Sequence, residues 1–298
     1  MPAPDPDALL DWGRSLRLTG DAEHVRRRPW ATTARVGQVW LKACGAGTRH
    51  EAPLLGALLW WGAPHVVLPL AVDAVHGFVA LPHSGELLRD LGRDAQPWPE
   101  LLSQHAALQR RLEAHAHDAV GLGLPDLRPD RLPAALDALL SRTALPDDLR
   151  AAVVAVQRRL AGRSALLDAA PVRPSVQHDD LHDGNVVVDA AGAMRVVDWG
   201  DASVGHPFGV LLVALRSLAP TLGPADVARL TDGYLEAWTD VADRAALREL
   251  VDAAQAVQPL ARALAWERAL QDADAAEREP WGDPVARWLG VLVERLSG

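Results

Sequence analysis

Residues 178–185 read HDDLHDGN, and VVDWGDA follows at residues 196–202. Three aspartates, two histidines and an asparagine thus fall within eight consecutive positions. Such a density of oxygen and nitrogen donors serves few chemistries. Carboxylate and amide oxygens are hard ligands that suit magnesium. A carboxylate in reach of a hydroxyl can orient it and take its proton. Alternatively, His178, Asp179, His182 and Asp198 could gather round a transition metal for hydrolysis. Two residues elsewhere sharpen the choice. Positive charge comes from 29 arginines and a single lysine, Lys42, while Asn185 is the one asparagine and isoleucine is absent. A chain that otherwise writes arginine keeps one compact point charge, which a planar guanidinium does not replace in a tight phosphate site.

His178, Asp180, Leu181 and Asn185 fall in the spacing H-x-D-L-x-x-x-N of phosphoryl-transfer catalytic loops, with Asp198-Trp199-Gly200 downstream. Upstream, VWLKA places Lys42 on a predicted strand, and the helix that follows carries Glu51. Phosphoryl transfer asks a protein chiefly for positioning and charge neutralisation. In that scheme Lys42 holds the α- and β-phosphates and Glu51 holds the Lys42 ammonium. Asn185 and Asp198 ligate magnesium, and Asp180 acts on the hydroxyl that attacks the γ-phosphate. Glu51 has a second reading, as an acidic residue favoured at a helix N-terminus. His178 and His182 are expected to brace the loop. The metal-hydrolase reading leaves both Lys42 and Asn185 without a task.

Composition sets the frame. The chain has 298 residues, 49% of them apolar, and a formal net charge of −9. That balance argues against nucleic acid, whose binders carry a basic stripe, and is compatible with a cationic small molecule. With Cys44 as the one cysteine, no intrachain disulfide forms, and a reducing compartment fits. The start, MPAPDPDALLDWG, lacks the pattern of a secretory leader. The apolar run GVLLVALRSLA is broken by Arg216 well short of a membrane span. Together these features predict a cytoplasmic protein with no membrane partner.

The elements that must position these residues can be read coarsely. RSLRLTG, EHVRRRPW, TTARVG and VWLKACG read as short strands. RHEAPLLGALLWWG reads as a helix ended by Gly62, and VVLPLAVDA and GFVALP return to strand. Beyond LPHSGELLRDLG, residues 98–119, 132–140 and 146–167 read as helices. SVQHDD, VVVDAAG and MRVVDWG read as short strands round the motif, with helices from Pro207 onward. The predicted fold is α+β. It comprises a β-rich nucleotide-binding lobe with one key helix at residues 1–82 and a mainly helical lobe at residues 83–298.

QHDDLHDGNVVVD followed by VVDWGDASVGHP resembles the aminoglycoside phosphotransferase and choline kinase branch of the protein-kinase-like superfamily. The resemblance implies that Asp180 is the catalytic base, that Asn185 and Asp198 bind magnesium, and that Lys42 anchors phosphate. It further implies that Leu81–Ser84, His83 among them, form the hinge that reads the base of ATP or GTP. Asp179 departs from the pattern, standing where this branch often has glycine. No G-x-G-x-x-G loop lies between the first strands, so Thr32, Thr33 and their backbone are expected over the phosphates. For the acceptor, Asp201, Trp199, Trp238, Trp266 and Glu267 are candidates, since acids and aromatics suit an amino sugar or another cation. The implied function is phosphate transfer from ATP or GTP to a hydroxyl of an aminoglycoside, amino sugar or amino alcohol. A nucleotide-binding pseudokinase and a metal-dependent phosphohydrolase are the alternatives.

Overall fold

The computed structural model describes residues 5–92, 96–218 and 222–298; the MPAP start lies outside them. Its architecture is α+β, with a small antiparallel sheet in the N-terminal region and a larger helical part, as the sequence predicts. By their internal contacts the residues form two units. The first comprises Met1–Leu87, Val186–Asp201 and Ala265–Gly282; the second comprises Leu88–Asn185, Ala202–Leu264 and Asp283–Gly298.

The first unit begins with a helix, α1 (Pro6–Ser15), not with the strand expected from RSLRLTG. The Asp5 carboxylate accepts from the Asp7 amide at 3.0 Å and Pro6 occupies the first turn, so the helix has a proper start. Arg14 and Ser15 complete it, and Arg17 leaves it with a left-handed φ of 62°. Leu9 packs from α1 into a core with Val36, Leu41, Ala43 and Ala80.

Five strands follow: β1 (Ala22–Arg28), β2 (Ala31–Val36), β3 (Val39–Cys44), β4 (Ala71–Asp73) and β5 (Phe78–Pro82). They pair antiparallel in the order β1-β2-β3-β5-β4. Between β3 and β4 lies α2 (Glu51–Trp60), whose Glu51, Ala52, Leu54, Leu55 and Leu58 are buried. Side chains alternate across a strand, so Leu41 and Ala43 face the α1 core while Lys42 faces the other way. The register sets Thr33 opposite Lys42 on β2 and Val79 opposite it on β5.

A second small sheet in this unit joins Glu86–Leu87, Val186–Val188 and Met194–Val196. Gly85 makes the first pairing possible. Its φ is 127°, and a Cβ there would lie 2.0 Å from the Val188 carbonyl oxygen. The strand Met194–Val196 is tied to the segment before β4 by Val196 N donating to His65 O at 2.8 Å. Asp198 lies two residues beyond the end of that strand.

The second unit is built on helices, among them Trp98–Leu112, Asp147–Ala169, Arg244–Leu270 and Pro284–Ser297. A short sheet runs through it, with Ser203–Gly205 between Asp126–Leu127 and Ser175–Gln177. Ser175–Gln177 delivers the chain into HDDLHDGN. It is fixed by a buried polar network centred on Gln109 of the helix Trp98–Leu112. Gln109 Nε2 donates to Gln177 Oε1 and to Pro207 O, both at 3.1 Å, and Ser175 Oγ donates to Gln109 O at 2.7 Å. Tyr234 closes the network, donating to Gln109 Oε1 at 2.5 Å. These buried hydrogen bonds tie the strand to the helix Trp98–Leu112 and to Pro207. Among the described residues, no helix is long and apolar enough to cross a membrane.

Candidate active site

Within the first unit, Lys42, Glu51 and Asp198 come together. Lys42 Nζ lies 2.6 Å from Glu51 Oε2 and 2.6 Å from Asp198 Oδ1. Glu51 has no exposed surface and Lys42 is 8% exposed. The other Glu51 oxygen accepts from the Trp199 amide at 3.1 Å, so one buried carboxylate orients both the lysine and the turn that carries Asp198. Burial opposes the Lys42 charge, yet Asp198 and then Glu51 overcome it and hold the ammonium well above its ordinary value. For Glu51, burial is the largest effect and raises its carboxyl, with Lys42 pulling the other way. Burial likewise pushes the Cys44 thiol well up, leaving it a protonated neighbour of Glu51 and not a nucleophile.

Asp198 adopts a left-handed φ of 62°. Aspartate is one of the few residues that tolerate this region, and at a functional turn such a conformation aims a side chain. Its side chain is half exposed, so this carboxylate can meet a ligand while Glu51 cannot. Asp198 therefore fits the demand for a hard oxygen ligand, and Lys42 the demand for a compact cation beside phosphate.

Within the second unit, the loop 178–185 is braced by its own histidines. His178 is fully buried, and its Nδ1 accepts from the Asp180 amide at 3.3 Å. His182 Nδ1 accepts from the Gly184 amide at 3.0 Å and faces Arg89 Nη2, also at 3.0 Å. With Nδ1 accepting, the His182 proton is assigned to Nε2, which lies 3.4 Å from Asp180 Oδ2. Asn185 Nδ2 donates to the Asp180 carbonyl at 2.9 Å, which directs the amide nitrogen into the loop and leaves Oδ1 as the atom able to meet a cation.

Asp180 makes the central contact of this loop. Its Oδ1 pairs at 2.9 Å with Arg262 Nη2, and the Arg262 side chain is only 4% exposed. Burial disfavours charge on Asp180, but Arg262 foremost and then His182 hold the carboxyl well below the usual carboxylate range. Asp180 is therefore an ionised, oriented acceptor at neutral pH. Sequence reasoning missed Arg262. The available signal was a guanidinium within the apolar run PLARALAW, where a buried cation implies a buried partner.

Asp179 explains its own departure from the family pattern. Its φ is 60°, a conformation glycine adopts freely. Aspartate is held there by its side chain, for Ser203 Oγ donates to Oδ2 and Gln258 Nε2 donates to Oδ1 at 2.6 Å. The residue trades backbone freedom for a clamp between the loop, the strand Ser203–Gly205 and the helix Arg244–Leu270.

The remaining candidates are distributed as follows. Thr32 is fully buried, and alternation along β2 puts Thr33, not Thr32, on the Lys42 side of the sheet. The turn between β1 and β2 carries no glycines. Instead, the Trp30 carbonyl accepts from the Gly45 amide and from Thr48 Oγ1, each at 2.7 Å. The Trp30 ring meets Trp266 at 5.6 Å and Trp281 at 4.8 Å. Trp266 thus belongs to an aromatic cluster of the first unit, and Glu267, beside it in sequence, is partly buried. Leu81 pairs with Trp40 across β5 and β3, and His83 Nδ1 accepts from Trp40 Nε1 at 3.4 Å. Trp199 is fully buried and Asp201 partly so. Trp238 is fully buried in the second unit, against Phe208 and Tyr234 at 5.0 Å each. Among the described residues, no group of three or more His, Cys, Asp or Glu side chains is arranged to hold a metal ion.

Comparison with known proteins gives a consistent picture. The family model described as "Phosphotransferase enzyme family" matches residues 30–250. No curated protein matches the chain. Among solved structures, the chain is similar to a choline/ethanolamine kinase family protein from Mesorhizobium loti. The identity there is 17%, with 97% of this chain and 98% of that chain covered and a TM-score of 0.63. It is similar as well to a choline kinase from Streptococcus pneumoniae, at 16% identity, with 97% and 98% covered and a TM-score of 0.64. A third is aminoglycoside 2'-phosphotransferase-IIIa, solved as a GDP complex, at 15% identity, 98% and 97% coverage and a TM-score of 0.64.

Proposed function

The chain belongs to the phosphotransferase enzyme family, and from that membership we propose that it is a magnesium-dependent kinase of a small hydroxylated molecule, using ATP or GTP. The observation that carries this reading is the placement of the lone lysine, 2.6 Å from a fully buried glutamate and 2.6 Å from a half-exposed aspartate. A cation so held has no reason to be a lysine in an arginine-rich chain unless a compact charge is needed, as it is beside phosphate oxygens. The GDP complex of a similar structure supports keeping GTP beside ATP as donor.

The roles follow from each residue's chemistry. Lys42 binds phosphate oxygens of the nucleotide, and Glu51 fixes the ammonium for that task. Asp198 and the Asn185 amide oxygen are the hard donors for magnesium, which when bound neutralises charge on the phosphates. Asp180 accepts a hydrogen bond from the acceptor hydroxyl. As that oxygen bonds to the γ-phosphorus, the bond from phosphorus to the leaving nucleoside diphosphate breaks, and the hydroxyl proton passes to Asp180. His178 and His182 keep the loop in shape. The products are a phosphate ester and ADP or GDP.

The test is the fate of a labelled γ-phosphate. Incubated with magnesium, labelled ATP or GTP and a panel of hydroxylated small molecules, the protein is expected to move the label into an organic phosphate ester. Label released only as inorganic phosphate would assign a hydrolase, and label never leaving the nucleotide would assign a binding protein without transfer.

A further inference from the structure

Beside the catalytic loop, within the second unit, lies a cavity of about 330 Å³. It is lined by His182 and Asp183 of the loop together with Arg89, Arg216 and Trp288. None of Asp201, Trp199, Trp238, Trp266 or Glu267 is among its lining residues. Its charge is the opposite of what a cationic ligand needs. Asp183 is paired with Arg89 at 3.3 Å, and Asp180, which His182 approaches, is paired with Arg262 at 2.9 Å. Both acids are thereby neutralised by arginines. Arg216 has no carboxylate partner among the described residues and lies over the Trp288 ring at 5.6 Å. Arg262 lies by the same ring at 5.8 Å. One indole thus carries two guanidinium groups, one paired to the catalytic aspartate and the other uncommitted at the cavity wall.

We propose that this cavity takes the phosphate acceptor, and that the acceptor is a hydroxylated small molecule bearing a carboxylate or phosphate group. This rests on the kinase reading above. The geometry supplies each part of the recognition. Arg216 offers a planar fork that matches either anionic group in bidentate fashion. Trp288 offers a flat apolar wall for the carbon frame, and its two cationic neighbours discourage a third cation at its face. His182 and Asp183 form the side of the cavity next to Asp180, where the acceptor hydroxyl must be presented. A polycationic amino sugar would instead place ammonium groups against an arginine that has nothing else to neutralise it.

The experiment compares acceptors on the full chain with magnesium and ATP or GTP. The anionic set is D-glycerate, D-gluconate and glucose 6-phosphate; glucose is the neutral probe; glucosamine, choline and kanamycin are cationic. Binding of the same probes without nucleotide is followed by thermal unfolding, so that the measurement does not depend on turnover. The anionic set is expected to bind and to give the highest kcat/KM. Arg216→Gln is expected to raise KM for the best anionic acceptor about tenfold or more, as loss of one charge-assisted contact does, with kcat and the nucleotide KM changed less than about threefold. Three outcomes overturn the proposal: no anionic probe binds, a cationic or neutral acceptor is preferred to every anionic one, or Arg216→Gln leaves the anionic KM unchanged. Efficient transfer to a cationic acceptor would sink the anionic assignment alone. Absence of both nucleotide binding and transfer would remove the kinase reading and this inference together.

Discussion

Replacing Asp180 with asparagine is expected to lower phosphate transfer by about 10²–10⁴-fold, the usual contribution of a positioned acid–base group, while nucleotide still binds. Asparagine keeps the shape of the side chain and an oxygen that can accept from Arg262, but it cannot take a proton. The choice of variant matters. Alanine would leave the buried Arg262 guanidinium without its partner, and breaking a buried pair costs about 3–5 kcal/mol, so lost activity and lost folding would be confused. With Asp180 about a quarter exposed, the cost falls below that range. Single-turnover measurement at saturating nucleotide separates the chemical step from binding. A variant whose kcat stays within about threefold of the parent would remove Asp180 from the reaction and shift attention to His182.

Lys42→Met is expected to fail in two ways at once. It removes the cation that binds phosphate, and it leaves Glu51, which has no exposed surface, without the charge that stabilises it. Loss of a partner from a buried pair costs about 3–5 kcal/mol, large against a total stability of about 5–15 kcal/mol. Lys42→Arg keeps the charge but must fit a wider group where Nζ now sits 2.6 Å from two carboxylates. Glu51→Gln with Lys42→Met separates the effects. Relieved of its buried charge, the double variant is expected to recover most of the stability and none of the nucleotide affinity. Urea unfolding reads the first and nucleotide titration the second. Recovery of nucleotide affinity in the double variant would contradict the role assigned to Lys42, and an unstable double variant would contradict that assigned to Glu51.

Much of this arrangement is legible in the sequence because the composition is so biased. In a chain with 29 arginines, one lysine is a signal in itself, and its distance from Asp198 in sequence is no obstacle to reading it. The five-stranded sheet is legible because its strands are short runs separated by turn residues. The N-terminal helix was open to reading too, since Asp5 followed by Pro6 is a helix-start signal. RSLRLTG misleads because its alternation falls on the last two residues of the helix and the turn that leaves it, too few positions to fix a period.

Other features are not legible, for physical reasons. Arg262 pairs with Asp180 across a long sequence separation, and nothing local to PLARALAW names the partner. The backbone of Asp179 is left-handed because Ser203 and Gln258 clamp its carboxylate, a contact between three distant segments. The two tryptophans Trp199 and Trp238 have no exposed surface, whereas Trp288 lines a cavity. Sequence does not rank eleven tryptophans by exposure, because each aromatic can serve core or site equally well.

The most direct single measurement is thermal unfolding of the intact protein with ATP or GTP, each with and without magnesium. A nucleotide at about one hundred times its dissociation constant is expected to stabilise the protein by about 2.7 kcal/mol, a clear rise in melting temperature. That rise should require magnesium and should vanish in Lys42→Met with Glu51→Gln. An unmoved melting temperature at millimolar nucleotide, with magnesium present, would contradict the assignment of Lys42, Asn185 and Asp198 to a nucleotide–magnesium site.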